Sequence, residues 1–419
     1  MKITRRQCIL GLFLFMILVD MHFLYLFKYP DLFKNILHRR LIPGTVGLLV
    51  FVFAICKYRN IIRKYFGFLK KTSYLVLLTF IILYSYTITH YPAQPWNVTY
   101  LSTNNILIIL WALPLAIAFR NIDDMKKYIR IINYVLLIWF IIVAVQSIIY
   151  KFCGSLLLGF EDLFSEYVRT RNNGIRFELG GIANVMILYN FDIVFTKKEK
   201  KIVLPLLVSF LGIFDVIFVQ QTRIEIAALF LGLLIILLLG GKNKKQKIIS
   251  SIIIIGSCII LLSTNYISQF INSFSITGSE SGSTIIRLQE IEYYLQIFKN
   301  NVICGLGGLS DAVGMYYSSL VHSSLGIYFL DDIGYLGTIA NGGIILFIIV
   351  LMIFFRWVKI ISKIIGKRKI KIYSYIISMF VYILISWITI PFILTQKTSM
   401  AIPLVMAMSE IVILDLKKG

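Results

Sequence analysis

The sequence predicts an all-α, polytopic integral membrane protein of about twelve transmembrane helices, with a large external loop that carries short helices. Three observations carry that prediction. Of the 419 residues, 58% are hydrophobic and 15% charged, and the mean hydropathy is +0.85; a soluble domain needs more charge than this to cover its surface. Apolar runs of about 18–20 residues, long enough to cross the hydrocarbon layer as helices, recur along the chain. Lys and Arg are distributed unequally over alternate connecting segments, as the orientation of membrane helices requires.

The first run, 8–27, follows the basic stretch MKITRRQ and is followed by no small-residue cleavage motif, so it is expected to be an uncleaved first span. A short run at 41–56 comes next, then RKYFGFLKK and a run at 73–90. Runs at 104–120 and 129–151 precede a polar segment, 152–178. Those at 179–196 and 202–219 are separated only by TKKEKK, and a short run at 224–240 begins beside Arg223. The run 248–264 leads into a long segment, 265–333, without a span of its own. The chain closes with 334–354, the basic KIISKIIGKRKIK, and runs at 373–393 and 398–416. No soluble domain is appended, so 1–419 is expected to be a single transmembrane domain.

With both termini cytoplasmic, the cytoplasmic segments hold 30 of the 42 basic residues and the external ones 12. One segment, 28–40, departs from the pattern with Lys28, Lys34, Arg39 and Arg40 outside. Orientation and contact with anionic lipid therefore account for the net charge of +22. No groove-reading motif accompanies the charge, so nucleic acid is not an expected partner. The five cysteines are scattered and show no metal or redox spacing.

Two external segments, 152–178 and 265–333, and the polar knot within FVQQTRIEIAALFLG (218–232) offer the surface for chemistry. They hold Arg169, Arg171, Arg176, Arg223, Arg287 and His322. Arg223 starts a span beside Glu225, with Asp215 in the preceding helix, and a charge at that depth faces a cavity or a partner. An Arg223–Glu225 or Arg223–Asp215 pair is the structural alternative. Arg287 lies early in a predicted helix, STIIRLQEIEYYLQIF, whose Leu288, Ile291, Leu295 and Phe298 form an apolar stripe. A cation there opposes the helix dipole unless an anion docks or Glu290 pairs with it. His322 is suited to moving a proton near neutral pH. Arginines do not ligate metals and no carboxylate cluster accompanies them, so no metal or cofactor is expected. Guanidinium forks suit a phosphorylated anion instead.

The chain resembles the O-antigen ligase and polysaccharide polymerase superfamily (Wzy-type polymerases) over about residues 165–355. Three pieces carry the resemblance. One is Arg176 followed by Gly180, Gly181 and Asn184 in IRFELGGIANVMILYN; another is the span start TRIEIAALFLGLL. The third is Arg287, CGLGG, His322-Ser323 and GYLGTIANGGII in order. Arg169, separated from Gly180 by ten residues, echoes a further Arg-to-Gly spacing of polymerases. The chain departs from the pattern at Ser323, where Asn is frequent, and at Glu225, where a small residue is usual.

The resemblance implies a metal-independent glycosyltransferase of the cell membrane. It would pass a glycan from a polyprenyl diphosphate carrier to a sugar hydroxyl of another lipid-linked repeat unit at the external face. Arg176, Arg223 and Arg287 would hold the diphosphate with Arg169, Glu225 would orient Arg223, and His322 would be the base. Membrane lipid and other membrane proteins of polysaccharide assembly are the further partners implied. The Lys- and Ile-rich composition favours a polymerase over a ligase that serves a final lipid acceptor. A flippase is the rival outside the family, with Asp20, Asp192, Asp215 and Glu410 as a candidate proton path. The short TKKEKK link between spans six and seven and the asymmetric external segments oppose it.

Overall fold

The computed structural model describes residues 4–21, 23, 41–156, 169–171, 174–177, 179–196, 202–240, 281–311, 314–323, 326–391 and 400–418. The described helices begin with α1 (Arg5–Asp20), α2 (Leu41–Tyr65), α3 (Gly67–His90) and α4 (Trp96–Thr103). A 3₁₀ turn (Asn104–Trp111) then joins α4 to α5 (Ala112–Phe119), and α6 (Ile122–Cys153) follows. A hairpin of β1 (Arg169–Arg171) and β2 (Gly174–Arg176) precedes α7 (Gly181–Thr196), α8 (Val203–Asp215), a π turn (Val216–Gln220) and α9 (Arg223–Gly240). The last five are α10 (Ser281–Asn300), α11 (Met315–His322), α12 (Gly334–Gly366), α13 (Ile370–Ser386) and α14 (Ala401–Lys418).

Every predicted apolar run coincides with a described helix except 248–264, which lies outside the described residues. Seven described helices are long and apolar enough to cross a membrane: Ile42–Tyr65, Gly67–His90, Trp96–Phe119, Ile122–Cys153, Val203–Gln220, Arg223–Gly240 and Gly334–Gly366. The chain is a multi-pass, helical membrane protein. Boundaries differ from the predicted ones for local reasons. The run 41–56 continues as helix to Tyr65 across a break at Tyr58. The run 129–151 starts at Ile122, because the Asn121 side chain caps the helix by accepting from the Asp124 N–H. The run 104–120 begins at Trp96, after Pro95. It is apolar on all sides and 83% buried, the pattern of a helix enclosed by others.

Helices α7, α9 and α13 form the frame that positions Arg223 and its neighbours. Asn184 of α7 donates to the Tyr382 hydroxyl of α13 at 2.7 Å, whereas Asp192, two turns on, accepts from Ser374. Ser378 donates to the Gly232 carbonyl of α9 at 2.8 Å. Thus α13 runs antiparallel to both partners, and Arg223, Asn184 and Tyr382 lie at one end of the bundle. Thr196, Gly240 and Ser374 lie at the other, where a Cβ on Gly240 would meet both.

The glycine-rich CGLGG turn (304–308) is a packing device. Gly305, at φ +58°, leaves no room for a Cβ beside the Ala340 carbonyl of α12. Gly343, at φ +62°, breaks α12 where the 302–304 backbone presses on it. The turn repairs the break: Ile344 N–H donates to Val302 O at 2.9 Å, and Leu306 N–H to Ala340 O at 2.8 Å. Irregular backbone at membrane depth survives when protein supplies its hydrogen bonds.

Buried carboxylates are largely accounted for by neighbours. Glu410 holds Arg356 bidentately at 2.6 and 2.7 Å, and that guanidinium stacks 4.8 Å over Phe68. Asp215 differs, since neither buried carboxylate oxygen has a hydrogen-bond partner among the described residues.

Candidate active site

The hairpin brings two predicted residues together. Arg169 and Arg176 are register partners across β1 and β2. Arg176 then reaches the linker before α9: its Nε donates to the Gln220 carbonyl at 2.9 Å and its Nη2 to the Thr222 hydroxyl at 2.8 Å. That linker is a tight corner, with the non-glycine Gln221 in the left-handed region at φ +53°. Arg223 follows immediately as the first residue of α9, half-buried, and Glu225 is buried two residues further on. The Gln220 side-chain amide donates to Glu225. Residues 44 positions apart thus meet in one corner, and Arg176 braces the peptide that aims Arg223. The Arg223–Asp215 pair weighed from sequence is not formed.

Arg287 and His322 belong to a second module, built by α10, α11 and the segment 326–333 at the foot of α12. Here the predicted helix is right and its buried face is wrong. Leu288 is 50% exposed, Ile291 38% and Leu295 37%. The face that packs carries Ile286, Glu290, Tyr293, Tyr294 and Ile297. Its aromatic hydroxyls select it: Tyr293 donates to the Ser319 and Leu320 carbonyls at 3.0 and 2.9 Å, and Tyr294 to that of Val321. Those acceptors are the last carbonyls of α11, which have no partner within their own helix.

The Arg287–Glu290 pair, weighed from sequence as the alternative to a docked anion, makes no hydrogen bond among the described residues. Glu290 turns from Arg287 to accept the Phe329 N–H at 3.1 Å, and Arg287 Nε is buried without a hydrogen-bond partner among the described residues. Burial pushes the Glu290 carboxyl up to about 7, against the Phe329 bond and the Arg287 charge, which both favour ionisation.

His322 ends α11 with both ring nitrogens engaged. Nδ1 lies 2.7 Å from the Tyr328 carbonyl and Nε2 2.9 Å from the Asp311 carboxylate. Both partners can accept, so each ring nitrogen faces an acceptor to which it can donate. The Tyr328 carbonyl and the Phe329 N–H belong to one peptide group. That single peptide joins His322 on one side to Glu290 on the other.

Sequence reasoning missed Asp311, Gln220 and Thr222 as partners of the site, and it weighed Glu290 only as a partner of Arg287. Thr222 and Gln220 stand in the quoted knot, and their adjacency to Arg223 was a usable signal. Asp311 had none, because its partner is chosen by how the CGLGG turn folds back. The side chain of Arg169 lies outside the described residues, as does most of 152–178.

With this geometry in view, the comparison with protein families is informative. Residues 207–351 match the O-antigen ligase family model. The match covers 145 of the 419 residues and supports a likeness to the O-antigen ligase and polysaccharide polymerase superfamily. The matched stretch runs from α8 into α12 and holds Arg223, Glu225, Arg287 and His322; Arg169 and Arg176 precede it. It identifies an O-antigen ligase-type membrane protein of polysaccharide assembly. No curated protein matches the chain.

Proposed function

We propose that this O-antigen ligase-type chain is a polysaccharide polymerase. It transfers a glycan from a polyprenyl diphosphate carrier to the sugar hydroxyl of another lipid-linked repeat unit, without a metal, on the external face of the cell membrane. The observation that carries the reading is the corner where Arg176 grips the linker into Arg223. Two guanidinium groups share one short stretch of backbone at the membrane boundary. Two arginines that share one corner invite an anion beside them. A diphosphate supplies that anion, and it gains charge as the glycosidic C–O bond breaks, where fixed cations stabilise it best. Arg287, with its Nε buried and unmatched, is the third cation of the set.

In this reading the acceptor hydroxyl attacks the anomeric carbon, the carrier diphosphate departs with the bonding electrons, and His322 takes the hydroxyl proton. Nδ1–H stays on the Tyr328 carbonyl and fixes the ring. Nε2, which faces the Asp311 carboxylate, is the working nitrogen and takes the hydroxyl proton in its unprotonated form. That carboxylate is 56% exposed and free to swing aside for the acceptor sugar. The family description favours a second reading, a ligase that delivers finished chains to a final acceptor.

Cells carrying H322A in place of the wild-type chain separate the two. For the polymerase, transfer falls by about 10²- to 10⁴-fold, and single repeat units accumulate on the carrier at the outer face. For the ligase, long chains accumulate on the carrier. Near-normal chain growth would remove His322 from the chemistry.

A further inference from the structure

One buried amide from another part of the chain reaches the backbone beside His322. Gln94 lies in the turn YPAQPW between α3 and α4, where its N–H donates to the Tyr91 carbonyl at 2.9 Å. Pro92 and Pro95 bracket it; each fixes its own φ, and Pro95 also confines the residue before it, so the turn is stiff. The Gln94 side chain is buried, at 3% exposure. Its Nε2 donates to the Gly308 carbonyl at 2.8 Å and to the Thr99 hydroxyl at 3.0 Å, and its Oε1 accepts the Ser310 N–H at 2.9 Å. A carbonyl only accepts and a backbone N–H only donates, so these partners fix which way the amide points.

Neighbours complete the grip. Thr87 of α3 accepts the Gly308 N–H at 2.7 Å, and Ser102 of α4 donates to the Gly308 carbonyl. A Cβ on Gly308 would lie 2.2 Å from Thr103 Cγ2, so only glycine lets the backbone sit this close to α4. The residue after Ser310 is Asp311, whose carboxylate faces His322 Nε2 at 2.9 Å.

We propose that Gln94 is a positioning residue of the candidate active site, which clamps the 308–310 backbone and thereby fixes where Asp311 meets His322. The inference rests on the reading of His322 as the base. The Asp311 side chain is 56% exposed, so its own packing does little to hold it and the backbone sets its place. The carboxylate can then leave for the acceptor sugar and return by rotating about its own χ angles. His322 is fixed from the other side, by the Tyr328 carbonyl at Nδ1. As Nε2 takes the acceptor proton the ring becomes an imidazolium, and a carboxylate in this place accepts a charge-assisted hydrogen bond from it. That gain appears only as the proton moves, so the alignment serves turnover and not substrate affinity. Gln94 supplies it from outside the stretch 207–351 that matches the O-antigen ligase model.

The test is a double-mutant cycle in the full chain. Membranes of the expressing cells supply their own carrier-linked repeat units, and chain growth per mole of protein at graded repeat-unit levels gives kcat and KM. Q94M keeps nearly the volume of Gln and removes the bonds to Gly308, Thr99 and Ser310. Q94M and D311N should each lower kcat by about 10- to 100-fold, with KM little changed. Q94M/D311N should be no slower than the slower single variant, because both changes remove one interaction. Should Q94M not accumulate, Q94N takes its place in the cycle, since it keeps a buried amide but is one methylene short of the 308–310 backbone. Losses that multiply in the double variant would overturn the proposal, because a general loosening of the fold acts whether or not Asp311 is present. So would a loss carried by KM alone, or near-normal turnover of D311N. Full activity of Q94M beside an impaired D311N would remove Gln94 and leave the base reading standing. Full activity of H322A would remove both.

Discussion

Glu290→Gln probes the external module through a single proton. Burial holds the Glu290 carboxyl at about 7 in place of an ordinary 4.5, so the folded protein binds that proton more tightly than the unfolded chain does. Protonation therefore contributes stability that is complete below about pH 4.5 and is lost as pH rises through about 7. At about 1.4 kcal/mol per unit, the shift sets a ceiling of about 3.5 kcal/mol. Solvent screening of this carboxyl discounts that ceiling, and about 1–2 kcal/mol is the expected share. Gln keeps an oxygen for the Phe329 N–H and never ionises. Between pH 5 and pH 8 the thermal midpoint of the purified wild type should fall more steeply than that of E290Q. At pH 8 the variant should be the more stable by the stated amount. Asp331, Asp332, Arg287 and His322 remain in both proteins, so their titration cancels in the comparison. Equal slopes would refute the argument that Glu290 is neutral at low pH within the fold and strained at high pH.

Arg176→Lys and Arg223→Lys should each lower transfer by about 10- to 100-fold with expression maintained, because one ammonium cannot make the paired bonds of a guanidinium. Lipid-linked saccharide analysis measures it, and full activity in both variants would detach the corner from the chemistry. Glu410→Ala leaves the half-buried Arg356 without its partner. It should cost about 3–5 kcal/mol, read as a large loss of detergent-solubilised protein, with little effect expected from R356M/E410M together. Orientation is checked in a Cys-free background with M315C and K371C, both at exposed positions. An impermeant thiol reagent on intact cells should reach M315C and spare K371C, and the opposite result would invert the topology.

Much of this protein is legible in its sequence because a membrane simplifies the code. A run of apolar residues in hydrocarbon has to be helical, since water is absent and backbone groups must pair within the segment. Runs such as 179–196 and 224–240 therefore translate directly into Gly181–Thr196 and Arg223–Gly240. Charge placement reads equally well, and it singled out Arg176, Arg223, Arg287 and His322 as residues outside the apolar pattern. Their partners were decided by tertiary structure. The stripe Leu288, Ile291 and Leu295 has the period of a buried face, yet the helix turns Glu290 and Tyr294 inward because the open carbonyls of α11 need hydroxyl donors. The CGLGG turn looks like a flexible loop until Ala340 and Gly343 are seen to require it. Arg176 meets Thr222 across 46 positions, and His322 meets Asp311 through that same turn. Periodicity and charge are local properties and survive in one dimension. The pairing of a buried polar group depends on which backbone arrives beside it, and only the packed helices determine that.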